Sequence, residues 1–113
     1  MQKLYAFVYY PVFDRIALGL LTDADFMELE ATLTGNPQVG DVVAHTNGAR
    51  KLRVGVRGRG KSGGARVIYI FVEVAGTFHL LLCYPKNVQG NLNDAQKAQL
   101  RAIITAIREE SRR

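Results

Sequence analysis

Residues 55–74 read GVRGRGKSGGARVIYIFVEV, and the fold turns on whether a helix or a strand follows the lysine. The first eight of them fill every fixed position of G-x-x-x-x-G-K-[ST], through Gly55, Gly60, Lys61 and Ser62. That motif cradles phosphates when a helix begins at its lysine, because the first helical amides and the helix dipole complete the cradle. Here Gly63 and Gly64 come next, followed by Arg66–Val74, a run of β-branched and aromatic residues that is poor helix and good strand. No apolar strand ending in an acid stands ready for magnesium, and the order of elements does not give a parallel βαβ sheet. The segment therefore reads as a glycine-rich loop inside a hairpin, and nucleotide hydrolysis is set aside.

Outward from this loop the periodicity extends the sheet. Upstream, RKLRVGV (50–56) alternates Leu52, Val54 and Val56 with Lys51, Arg53 and Gly55, the period of two of a half-buried strand. Downstream, AGT separates RVIYIFVEV from FHLLLCY (78–84), so three consecutive strands predict an antiparallel meander. Leu4–Phe13 reads as a further strand, confined by Pro11 to an edge or an end of the sheet. Thr22 as N-cap, acids at 23 and 25, and Phe26, Leu29 and Leu33 at helical spacing predict a short helix over 23–34. Asn93 with Gln96 three residues on caps a C-terminal helix whose stripe is Leu100, Ile103, Ile104 and Ile107. The expected fold is α+β: one domain over 1–113, a mainly antiparallel sheet of about four strands, an N-terminal helical segment and a C-terminal helix.

Charge placement is more informative than its net value of +5. Between Val42 and Val72 there is no carboxylate, yet Arg50, Lys51, Arg53, Arg57, Arg59, Lys61 and Arg66 all fall there. Like charges so concentrated repel one another unless a polyanion is the partner, so nucleic acid leads. Cys83 is the single cysteine, which excludes an internal disulfide and a structural zinc cluster and fits the cytosol. The apolar N-terminal stretch is about half a membrane span and is broken by Pro11, so no membrane segment is expected.

RNA cleavage without a metal needs a base for the 2′-hydroxyl proton, cations for the phosphorane charge and an acid for the leaving 5′-oxygen. His79 lies in an apolar strand and His45 in a loop, and neither makes a convincing catalytic pair. Asp41 and Glu73 bound the basic stretch without entering it, and Cys83 reads as core packing. What remains is lysine, arginine and tyrosine. If the strand beginning at Arg66 pairs with the one ending near Tyr84, then Lys61, Arg66, Tyr84 and Lys86 converge at one end of the sheet, joined by Arg53. Neighbouring positive charge disfavours protonated lysine, so Lys61 or Lys86 could act as base while Arg66 grips phosphate.

Taken together, residues 47–92 resemble the HigB branch of the RelE/ParE superfamily of bacterial toxins. The resemblance rests on G-x-RK-x-R at 48–53, GK-x-GG at 60–64 running into RVIY at 66–69, and LLL-x-Y-x-K-N at 80–87, before a C-terminal helix. It extends over about 20–107, and departs from the family's pattern at Ser62, where a further cation is common, and at Pro85, where a small residue is usual. It implies a toxin of a type II toxin-antitoxin system that cleaves translated mRNA on the ribosome without a cofactor. The cognate antitoxin would be a co-encoded helix-turn-helix protein. By resemblance Lys61, Arg66, Tyr84 and Lys86 form the catalytic set, and Arg50, Lys51, Arg53, Arg57 and Arg59 contact RNA or ribosome. Two alternatives stand beside it: a ParE-like gyrase poison and a non-catalytic RNA- or ribosome-binding module.

Overall fold

The computed structural model describes residues 4–56 and 60–112, with the side chains of 60–63 outside the description. Five strands form one sheet in the order β1-β5-β4-β3-β2: β1 Ala6–Tyr9, β2 Asp41–Val42, β3 Arg50–Val56, β4 Gly60–Val72 and β5 Thr77–Pro85. Helices α1 (Pro11–Leu20) and α2 (Asp23–Gly35) precede β2, and α3 (Asp94–Glu110) follows β5. The expected meander is present, since β3, β4 and β5 pair antiparallel in sequence order.

The strand read over 4–13 is shorter than expected. It ends at Tyr9, and Pro11 opens α1 as its first residue, where a missing N–H is no loss and the fixed φ suits a helix. A strand end and a helix start both tolerate proline, so the sequence left the choice to packing: Phe13 and Ala17 of α1 are fully buried. β1 then lies parallel to β5, at the sheet edge. The fifth strand, β2, is two residues long and pairs with Arg50 and Lys51, too short to register as a period. Residues 60–65, expected in the glycine-rich loop, belong to β4, which runs from Gly60.

The two predicted helix starts are present. The Thr22 hydroxyl accepts from the Asp25 amide while the Asp25 carboxylate accepts from the Thr22 amide, and the Asn93 and Gln96 side chains accept reciprocally at α3. β4 is sandwiched between layers, which explains its unbroken apolar run. Ala65, Val67 and Tyr69 meet Phe13, Ala17, Leu29 and Leu33 of α1 and α2. Ile68, Ile70 and Val72 meet Leu100 and Ile104 of α3.

One irregularity decides where the site lies. Ile68 pairs with Leu82 and Tyr69 with Leu80, so Leu81 is an extra residue on β5. Side chains alternate along a strand, and one extra residue reverses which of them face each side. Before the bulge Phe78 and Leu80 face α1 and α2; after it Cys83 does, and Tyr84 turns to the α3 face.

Candidate nucleic-acid site

Arg53, Arg66 and Tyr84 stand in one row across β3, β4 and β5, each the direct partner of the next. Adjacent strands lie about 5 Å apart, so the three side chains rise together on the α3 face. Arg53 is exposed at the rim. Arg66 is only 6% exposed, and the one hydrogen bond of its guanidinium among the described residues runs from Nη1 to Ala65 O at 3.2 Å. The Tyr84 hydroxyl is buried with no hydrogen-bond partner there. Burial raises the Tyr84 pKa, and the Arg66 charge draws it partway back.

A buried guanidinium and a buried hydroxyl normally come with partners, because desolvation costs about 1–3 kcal/mol for the hydroxyl and more for the charge. In this row, among the described residues, both donors remain available. An oxyanion between them would accept from the guanidinium and from the phenol, and Arg53 could reach it from the rim. With its pKa raised, Tyr84 keeps its proton at neutral pH, so its hydroxyl is available to donate a hydrogen bond.

Lys86 follows β5 directly. Its amide donates to Gly64 O at 3.0 Å, which continues the ladder one step past Pro85, and its side chain is exposed. Carried one residue past β5, the same alternation would put it on the Tyr84 face. The side chain of Lys61, and Arg57 and Arg59 altogether, lie outside the described residues.

The remaining cations separate. Lys51 shares the face of Arg53, and its Nζ donates to Asn91 Oδ1 at 3.2 Å. Arg50 partners Tyr69 on the opposite face and donates through Nη1 to Gly40 O at 2.8 Å and Gln38 O at 3.1 Å. Arg50 therefore ties the 37–40 loop to the sheet, on the other side from the Arg66 row. Strand parity carried this distinction, since 50 and 51 must face apart; what Arg50 bonds to depends on a loop twelve residues away.

The histidines stand apart from the row. His79 Nδ1 and the Tyr10 hydroxyl are 3.0 Å apart, and burial lowers the pKa of the ring. His45 is exposed with φ of 66°. Cys83 is fully buried against the α1 and α2 layer, and burial pushes its thiol up to about 12, which leaves it unreactive at neutral pH. Among the described residues no group of His, Cys, Asp or Glu is placed to hold a metal ion, and no helix is long and apolar enough to cross a membrane.

Sequence reasoning missed Asn91 as a neighbour of Lys51. Its only local signal is the polar turn GNLN leading into the Asn93 cap, which fixes the loop but not what it reaches.

Residues 38–113, from the loop before β2 to the end of α3, match a family model described as the RelE toxin of the RelE/RelB toxin-antitoxin system. The match spans every residue of the Arg53, Arg66 and Tyr84 row together with Lys86 and Asn91. The chain belongs to the RelE toxin family, whose members are paired with an antitoxin.

Proposed function

We propose that this toxin is a ribosome-dependent mRNA endoribonuclease of the HigB kind, working as one domain over 1–113 in the cytosol and without a metal. The observation that carries the reading is Arg66, a buried arginine without a carboxylate hydrogen-bonded to it among the described residues, aligned with the unpartnered Tyr84 hydroxyl. Arg66 holds the scissile phosphate and stabilises the charge that builds on it. Tyr84 donates to the leaving 5′-oxygen or to the phosphorane. Lys86 or Lys61 takes the 2′-hydroxyl proton, and attack of that oxygen on phosphorus expels the 5′-oxygen and leaves a 2′,3′-cyclic phosphate. Arg53 and Lys51 extend the cationic track along β3, and Arg57 and Arg59 are proposed as further RNA or ribosome contacts. Arg50 is bonded on the opposite face, so we leave it out of this track.

The partner proposed is a co-encoded helix-turn-helix antitoxin, which silences the toxin by covering the cationic face. Induction in a bacterium should arrest translation and leave cuts within translated messages, with Arg66→Ala and Lys86→Ala relieving both. Arrest with intact transcripts and damaged DNA would point instead to a gyrase poison, and arrest with neither would leave a non-catalytic ribosome binder.

A further inference from the structure

Beside the Arg66 row, on the same face of the sheet, lies a cleft about 350 Å³ in volume, between edge strand β2, β3, the 91–92 loop and the first turn of α3. Asp41, Lys51, Asn91 and Lys97 line it, and Val43 and Leu92 give it an apolar wall that is continuous with the core under α3. Asp41 and Lys51 are direct cross-strand partners, so both belong to this side of the β2–β3 ladder. Lys51 Nζ donates to Asn91 Oδ1, which fixes the amide and leaves its Nδ2 hydrogens to donate into the cleft.

Its position ties it to the row. Lys51 is two residues from Arg53 on β3, a rise of about 7 Å along the same face, comparable to one nucleotide step. Its chemistry differs from that of the row. A site for phosphate alone would not carry a carboxylate on its rim, whereas a nucleobase edge offers both donors and acceptors and its face is apolar. Asp41 accepts, Asn91 and Lys97 donate, and Val43 and Leu92 supply a surface for the ring.

We infer that this cleft is a nucleobase subsite, which reads a nucleotide adjacent to the scissile phosphate and sets where the message is cut. The inference rests on the nuclease reading above. Asn91 and Asp41 discriminate among bases, while Lys97 and Lys51 hold the flanking phosphate.

The experiment maps transcript 5′ ends in cells that express the intact protein or its Asn91→Ala, Asp41→Asn and Lys97→Ala variants. Asn91 and Asp41 are exposed, so thermal unfolding of the purified variants should report an unchanged fold for both. The wild type should favour one base at a fixed position beside the cut. Asn91→Ala and Asp41→Asn should each weaken that preference about tenfold, the size of one good base contact, while cutting continues. Lys97→Ala should reduce cutting at all sites alike. A flat base profile in the wild type, or an Asn91→Ala profile superimposable on it, overturns the subsite and leaves the nuclease standing. If the wild type cuts no message at all, the nuclease reading fails and the subsite with it.

Discussion

Replacing Arg66 by methionine should separate stability from activity. The side chain is 6% exposed, and one bond to Ala65 O at 3.2 Å is all that holds its guanidinium among the described residues. Losing a hydrogen bond from a charged donor costs about 1.5–3 kcal/mol, but an apolar chain of similar length no longer bears a desolvation penalty of several kcal/mol. Methionine would also pack against Ile68 and Tyr84 on the α3 side of the sheet. The balance favours the variant by about 1–2 kcal/mol, or a melting temperature higher by roughly 4–8 °C. Cleavage should move the other way, falling about 10²–10³-fold, as when a preorganised donor to a developing oxyanion is removed. Thermal unfolding of the purified toxin and primer extension on translated message measure the two effects. A variant that melts several degrees lower while still cutting would show that Arg66 is a structural residue and not the anion site.

Three further outcomes are expected. Tyr84→Phe removes a hydroxyl that has no partner among the described residues, so stability should hold or rise by up to about 1 kcal/mol while cleavage falls about 10²-fold or more; loss of stability would mean that the hydroxyl is bonded. Gly40→Ala drives a Cβ to 2.9 Å from Lys51 O and 3.1 Å from the Tyr69 ring, so chemical denaturation should show a loss of about 1–3 kcal/mol; Gly90→Ala, with nothing within 4 Å, is the control that should stay near neutral. Cys83 and His79 each add a pH dependence to stability. The Cys83 thiol is raised by burial from 9.0 to about 12, so unfolding releases its proton above pH 9 and stability should fall by about 1.4 kcal/mol per pH unit from there. The His79 ring is lowered by burial from 6.5, so its contribution is present above pH 6.5 and is lost as pH falls below it; a denaturation midpoint unchanged between pH 7.5 and 5 in wild type and His79→Phe alike would refute that assignment.

Much of the fold was legible because the signals are local. The helix starts at Thr22 and Asn93 are written in capping boxes within four residues, and the β3 alternation from Leu52 to Val56 is a period that any window detects. The strand after Lys61 was legible from propensity alone, and with it the rejection of a nucleotide cradle. Residue type also pointed to Arg66, because a long cation opening an apolar strand requires an explanation.

The tertiary structure decided what local signals leave degenerate. Pro11 suits a strand end and a helix start equally, and the core that buries Phe13 and Ala17 chose the helix. Arg50 and Lys51 look alike in sequence, yet one faces loop carbonyls and the other the Arg53 side, because alternation separates neighbours once a strand has a partner. Most of all, LLLCY gives no sign of which leucine is the extra one. Only pairing with β4 made Leu81 the bulge, and that single residue turned Tyr84 from the α1 and α2 layer to the face where Arg66 lies buried. Sequence supplied the chemistry, and register between distant strands brought it together, since hydrogen-bond pairing is a property of two segments and belongs to neither alone.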